Sequence, residues 1–396
     1  MTAFRPLDGV RVVEFSSSIA GPVSAMILAQ LGADVVKVES PDGDDARGWP
    51  PHVGDRSIVY RNMSVGKRGV VIDLKNAEGV EVALALARSA TVVLQTMRPG
   101  VADRIGIGAA AVRAGNPDVL YYDMNAFGTG PVGRAMPGYD PMVQAFTGIM
   151  EMTGHEGSPP TRCAPSLIDL GTGQWIAMGI LAAVLARQRG QKVSSMETAL
   201  VDTAFSVVCY QATTALMTGE RPPRSGSGNP IAAPYQCYEA SDAPFMLAAG
   251  NQKIWLRVVD VLGAPELAND ARFVTGTLRS GNRHALETEL NLRFAASTAN
   301  DWVARLSAAG VPATRVYGLE QSVKSDIARE RRTFAESDGV PLVRLPWLVD
   351  GEPIPWGSPA PTYGQHTREV LREAGFSDER IDALVASGAV RDRAAE

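Results

Sequence analysis

Val10-Arg11-Val12-Val13-Glu14-Phe15, then Gly21-Pro22, then Gly32-Ala33-Asp34-Val35-Val36-Lys37-Val38 are the stretches that decide the fold. The first and last are short β-branched apolar runs, the pattern of strands buried on both faces. Gly21-Pro22 opens a helix reaching about Leu31, with Pro in its favoured early position and Gly32 as terminator. Strand, helix, strand makes a βαβ unit, whose two strands lie parallel. Outward from it, strands are expected at 70–74, 91–94 and 119–123, with a helix at 77–88 between the first two. The reading is an α/β chain built on a large domain with a Rossmann-like parallel sheet. Its first turn, Ser16-Ser17-Ser18-Ile19-Ala20-Gly21, lacks the G-x-G-x-x-G of a dinucleotide site, and no Walker motif is present. Any helix start still favours an anion, so phosphates can be met there without either motif.

At 396 residues the chain is too long for one small core, and two domains is the natural expectation. Its 45% hydrophobic and 20% charged residues are those of an ordinary soluble globular protein. A net charge of −5 argues against nucleic acid, which wants a basic face. Cys163, Cys209 and Cys237 form neither a metal pattern nor a disulfide framework, which suits a cytoplasmic protein. His52, His155, His284 and His366 make no zinc motif, so no metal is expected. Met1 to Asp8 contains no apolar signal segment. The most apolar helical run, about 176–185, reads as too short for a bilayer, so no membrane partner is expected.

Gly and Pro crowd residues 128–165, a long irregular segment of the kind that is usually functional or disordered. Helices are expected at 174–187 and 195–217, followed by the basic linker Arg221-Pro222-Pro223-Arg224-Ser225-Gly226-Ser227-Gly228. Domains are therefore drawn at 1–220 (large, α/β), 229–325 (smaller, α+β, with a strand at 245–249) and 326–396 (a C-terminal segment with helices at 368–374 and 378–387). In the smaller domain Thr298-Ala299-Asn300-Asp301 resembles a capping box with Asp for Glu, starting a helix that Gly310 and Pro312 end.

The irregular segment leads into Ser166-Leu167-Ile168-Asp169-Leu170-Gly171-Thr172-Gly173. A carboxylate between two apolar runs is costly unless something satisfies or uses it. On local grounds Asp169 serves as the N-cap of the 174–187 helix, a position Asp favours.

Ordered matches elsewhere change that reading. Pro6-Leu7-Asp8-Gly9-Val10-Arg11-Val12-Val13-Glu14-Phe15, Ala20-Gly21-Pro22 and Leu31-Gly32-Ala33-Asp34-Val35-Val36-Lys37-Val38-Glu39 come first. Gly66-Lys67-Arg68, Val71-Ile72-Asp73-Leu74-Lys75, Met97-Arg98-Pro99-Gly100-Val101 and Ala126-Phe127-Gly128-Thr129-Gly130-Pro131 follow. Gly138-Tyr139-Asp140, Gly357-Ser358-Pro359 and Gly364-Gln365-His366-Thr367 complete the order. Over almost its whole length the chain resembles the class III CoA-transferases, the CaiB/BaiF family.

The resemblance implies that Asp169 is the catalytic carboxylate. In the family's transferases it attacks an acyl-CoA thioester, forms an acyl–aspartyl anhydride, and passes CoA onward through an aspartyl-CoA thioester. The residue type suits this role: with an ordinary pKa of about 3.9 an Asp is already ionised and needs no partner base. The resemblance also places Ile19, Ala20, Lys67, Lys75, Met97 and Arg98 near CoA, with Arg47 and Lys37 as looser candidates. Trp49, Tyr60 and Tyr139 are assigned to the acyl or acceptor end, and the N–H groups of Gly171 and Gly173 to an oxyanion. CoA or acyl-CoA is then the substrate, a carboxylic acid the acceptor, and the partner a second copy in an interlocked-ring homodimer.

Two departures bear on chemistry. Where formyl-CoA transferases carry a glycine-rich flap, the comparable stretch here is Asn229-Pro230-Ile231-Ala232-Ala233-Pro234-Tyr235. Where the family's racemases have Gly-His-Asp, this chain has Gly138-Tyr139-Asp140, and a tyrosine with a pKa of about 10 is a poor base at neutral pH. The alternatives are an α-methylacyl-CoA racemase using another base, a CoA-binding protein without chemistry, and a nucleophilic Cys163.

Overall fold

The structure, a computed structural model, describes residues 4–392. The first three residues read for a leader and the last four of the C-terminal segment lie outside it. The opening βαβ forms as its sequence dictates: β1 (Arg11–Phe15), α1 (Ala20–Gln30) and β2 (Asp34–Glu39), with Arg11 to Glu14 in parallel register with Asp34 to Lys37. β3 (Arg68–Ile72) continues the sheet beside β2, and α2 (Ala77–Arg88) follows it. β4 (Val92–Gln95), β5 (Leu120–Asn125) and β6 (Ser195–Ala199) then extend the sheet from the other edge of β1. The order β3-β2-β1-β4-β5-β6 is parallel throughout, and Val390–Arg391 adds a short antiparallel edge beside β3. This is the doubly wound order whose direction reverses between β1 and β4, the place where such sheets bind ligands.

Valines and isoleucines of the central strands are fully buried, with Val13, Val36, Val70, Ile72 and Val93 packing on Val82, Leu86 and the C-terminal Leu371 and Leu384. The closing segment therefore belongs to the same core. It is also tied by backbone bonds from His366 N–H to the Gly69 carbonyl and from Gly66 N–H to the Ser358 carbonyl.

Three expectations are corrected here. Residues 195–199 are strand β6, not the start of a helix, and the helices that follow, Leu200–Val207 and Cys209–Thr218, meet at 80°. The helix expected from residue 174 starts earlier: α3 (Asp140–Phe146) is followed by α4 (Leu167–Gln188), 22 residues long. That length and composition suffice to cross a bilayer, contrary to the sequence reading. One side of α4, from Ile168 through Ile176 and Ile180 to Ala183, is instead buried, and Gly173 meets α1 there.

The chain divides into two compact units. One comprises the residues through Thr147, Cys163–Ala212 and those from Ile327 onward; the other comprises Gly148–Arg162 and Thr213–Asp326. The sequence reading draws boundaries at the 221–228 linker and at 325/326, and leaves 148–162 in the large domain, whereas that segment joins the second unit. That unit holds a three-stranded antiparallel sheet in the order Ala313–Arg315, Pro244–Ala248, Tyr235–Glu239. Its helices include Gln252–Leu262, Arg283–Phe294 and Ala299–Ala308 around a core of Phe245, Trp255, Phe294 and Trp302. Thr298 caps the last of these by accepting from the Asp301 N–H, while the Asp301 carboxylate accepts from the Ser297 hydroxyl rather than closing a capping box.

Candidate active site

At the reversal between β1 and β4 the chain needs a backbone that comes very close. A Cβ on Gly21 would lie 2.5 Å from the Ser16 side chain and 2.7 Å from that of Thr96, so only glycine lets α1 begin here. The loop Ser17–Gly21, the segment Thr96–Pro99 after β4 and Met124–Ala126 at the end of β5 wall a cleft of about 230 Å³. Asp169, Trp49, Met136, Tyr139 and Leu200 close it. The start of α1 faces this space with no acidic residue in its first turn, which favours a bound anion.

Asp169 sits in the first turn of α4 and is not its cap. The helix start is capped from outside by Asp140, fully buried at the head of α3. One Asp140 oxygen accepts the N–H groups of Ile168 at 2.8 Å and Asp169 at 3.2 Å, and the other accepts from Gln144 Nε2 at 2.5 Å. With the orphan donors of the helix already satisfied, the Asp169 carboxylate is left without a hydrogen bond or ion pair among the described residues. Its pKa is raised to about 7, first by burial and then by the nearby charge of Asp140. A partly buried carboxylate, unpartnered and perturbed in a cleft, is what a nucleophile or acid–base group looks like. Gly171 and Gly173 do not serve an oxyanion. They lie past the first turn, so their N–H groups belong to the helix ladder, and a Cβ on Gly173 would stand 2.8 Å from the Ala20 carbonyl oxygen.

A second cleft of about 570 Å³ adjoins the first, sharing Ser17, Asp45, Thr96 and Met97 with it. Lys75 lines it, along with Phe15, Val38 and the loop 39–45. The side chains of Lys75 and Arg98 are exposed and make no hydrogen bond or ion pair among the described residues.

The structure thus brings Asp169 together with Ile19, Ala20, Met97, Arg98, Trp49 and Tyr139 in one cleft, with Lys75 in its neighbour. It does not bring Lys67 or Tyr60 to either. Lys67 is fully buried, its Nζ donating to Glu14 at 2.8 Å and to the Pro22 carbonyl at 2.8 Å. Tyr60 is buried with its hydroxyl donating to Glu39, and the Arg47 guanidinium lies 3.8 Å over its ring. Arg47 itself donates twice to Glu39, at 2.7 Å each, and Lys37 pairs with Asp44 at 2.7 Å. These four stand beneath or beside the site, tied to carboxylates of the protein, and have no free charge to offer a ligand. No histidine lines the Asp169 cleft, and Cys163 is held through its N–H to the Gln144 side chain. Ser18, Asn125 and Leu200 carry no motif that marks them as cleft residues in isolation, and the motif Gly138-Tyr139-Asp140 does not announce that Asp140 caps the helix bearing Asp169.

Comparison with known proteins agrees with this architecture. Residues 7–367 match the model of CoA-transferase family III. An acetyl-CoA:oxalate CoA-transferase of Acetobacter aceti is 34% identical over 89% of this chain and 92% of its own. A succinate–glutarate CoA-transferase of Agrobacterium fabrum is 31% identical over 93% and 95%. The crystal structure of a CaiB/BaiF family protein from Brucella suis superposes with a TM-score of 0.83 at 33% identity, covering 93% of this chain and 99% of that one. The chain belongs to CoA-transferase family III, the CaiB/BaiF enzymes.

Proposed function

We propose that this enzyme transfers CoA from an acyl-CoA to a free carboxylic acid, with Asp169 as the covalent catalyst. The observation that carries the reading is the Asp169 carboxylate itself, which lines the cleft at the sheet's reversal point with no hydrogen-bond or ion-pair partner among the described residues. One Asp169 oxygen attacks the thioester carbonyl carbon, the C–S bond breaks, and CoA leaves as thiolate. The thiolate then attacks the Asp169 carbonyl of the mixed anhydride and releases the donor acid. The acceptor carboxylate attacks the aspartyl thioester, regenerating thiolate and a new anhydride. A last attack by the thiolate on the acceptor's acyl carbon yields the new acyl-CoA and free Asp169. Partial burial raises the energy of the resting carboxylate relative to the spread charge of the tetrahedral state.

CoA is assigned to the continuous space of the two adjoining clefts. Lys75 and Arg98, cations on its rim without an ion pair among the described residues, serve the phosphates, and Ile19, Ala20 and Met97 the pantetheine arm. Trp49 and Tyr139 are assigned to the acyl and acceptor side. A cleft without histidine, with Tyr139 preceding Asp140, favours transfer over α-proton exchange. The working form is assigned to a homodimer. The deciding experiment mixes the purified enzyme with an acyl-CoA, quenches with hydroxylamine, and maps the adduct by mass spectrometry. A hydroxamate at residue 169, absent from Asp169→Asn, is expected. Transfer activity surviving in Asp169→Asn would remove the carboxylate from the mechanism.

A further inference from the structure

Among the buried charges under the catalytic cleft Glu39 is matched by Arg47, and four others form a cluster: Glu14, Lys37 and Lys67, fully out of solvent, and Asp44, within a few per cent. Two are positive and two negative, so the cluster balances. Lys67 pairs with Glu14 at 2.8 Å, and Lys37 pairs with Asp44 at 2.7 Å and stands 3.6 Å from Glu14. Each member also holds one backbone or side-chain group of the segment Ser16–Pro22. Lys37 Nζ donates to the Ser16 carbonyl at 2.8 Å, and Glu14 accepts the Ser16 hydroxyl at 2.5 Å. Asp44 accepts the Ser18 N–H at 3.2 Å, and Lys67 donates to the Pro22 carbonyl at 2.8 Å.

What this cluster secures is the wall of the Asp169 cleft, since Ser17, Ser18, Ile19, Ala20 and Gly21 all line it. Ser18 there has φ +69°, a left-handed conformation that a non-glycine residue keeps only where its surroundings dictate it. The hold reaches the nucleophile too. A Cβ on Gly173 would lie 2.8 Å from the Ala20 carbonyl oxygen and from Val23 Cβ, so α1 and the helix carrying Asp169 are in backbone contact.

We infer that the Glu14–Lys37–Asp44–Lys67 quartet is a positioning device, fixing the Ser16–Pro22 ledge against which an acyl-CoA thioester meets Asp169. The inference rests on the transferase reading of Asp169. A buried ion cluster is a weak source of stability compared with apolar packing, so its use is to hold one geometry. Near-attack geometry is sensitive to small shifts, and a misplacement of about 1 Å costs on the order of a hundredfold in rate.

The test uses the full-length enzyme with the double substitution Lys37→Met/Asp44→Asn. It removes one cation and one anion together, leaving the Glu14–Lys67 pair balanced, and the Asn oxygen can still accept from Ser18 and Ala46. Two results are expected: faster amide hydrogen exchange confined to the peptide spanning 16–22, and formation of the Asp169 adduct at saturating acyl-CoA slowed about a hundredfold. A folded double variant with parental exchange and parental adduct rate overturns the proposal. If the double variant does not fold, Lys37→Arg decides, because it keeps the buried charge while displacing the donor from Ser16. The same two changes are required of it. Failure of the parent enzyme to form any adduct would count against the Asp169 chemistry, and the exchange measurement would still judge the ledge.

Discussion

A carboxylate whose pKa is raised to about 7 changes both rate and stability with pH, in opposite directions. As the nucleophile it must be ionised, so adduct formation should rise with pH through about 7 and level off above, as single-turnover measurements would show. Between an ordinary carboxyl pKa and that value the folded state binds the proton more tightly than the unfolded one. Stability linked to Asp169 is therefore present at low pH and is lost as pH rises through the folded pKa. Asp169→Asn should abolish transfer and stabilise the fold at pH 8 by on the order of 2 kcal/mol, discounted for partial exposure; denaturant titration reads this. Asp140 separates two effects. Asp140→Asn keeps an oxygen for the Ile168 and Asp169 N–H groups but removes the charge and the acceptor for Gln144 Nε2, so the rate profile should move to lower pH at a stability cost of about 1 kcal/mol. Asp140→Ala should cost about 1–2 kcal/mol, since the donors at the start of α4 lose their cap. That Asp169 lines the cleft was legible only because motifs spread along the chain pointed to it; the local sequence favoured a cap. That reading failed because the cap comes from Asp140, 29 positions away. Lys67 was misread for the same reason, its Glu14 partner lying 53 positions away.

Among elements, α1 and α4 matter most, because their contact joins the ledge to the nucleophile. Gly173 is the point of closest approach, and the methyl of Gly173→Ala would sit 2.8 Å from both the Ala20 carbonyl oxygen and Val23. Neither neighbour is the loose end of a flexible side chain, so the helices must separate. A loss of about 1–3 kcal/mol is expected in denaturant titration, together with a drop in kcat/KM, since Asp169 lies one turn away on the same helix. An increase in stability from the better helix propensity of alanine would show that the contact is looser than described. The strands beside these helices were readable where they are buried on both faces: β1, β2 and β4 are β-branched apolar runs. Strand β6 was not. Ser195 to Ala199 carries one fully buried residue, and its hold on the sheet comes from β5 and from Glu197 accepting bonds from Asn125 and Thr129. No local pattern announces a strand fixed by such distant partners.

For the molecule as a whole, the division of α4 into two sides carries the last prediction. Seen from its axis, one side is buried, while Trp175, Met178, Ala182 and Leu185 are exposed, the three large residues at 48% each. Their spacing of three, seven and ten residues puts them in one line along the helix. Phe205 and Val207, on the helix that packs against α4, are also exposed. Aligned large apolar side chains of this kind mark interaction surfaces in soluble proteins. The proposed homodimer gives them an occupant, a second copy meeting the same surface. A buried tryptophan at such a contact is worth about 2 kcal/mol or more, roughly thirtyfold in dissociation constant. Trp175→Glu combined with Met178→Glu should therefore shift the enzyme toward monomer in light scattering at micromolar concentration. The circular dichroism of each chain should stay native, because both side chains already face solvent in the single chain. A doubly substituted protein that remains a tight dimer would move the interface off this helix, since two carboxylates facing their own symmetry copies across an apolar contact have no way to be satisfied there.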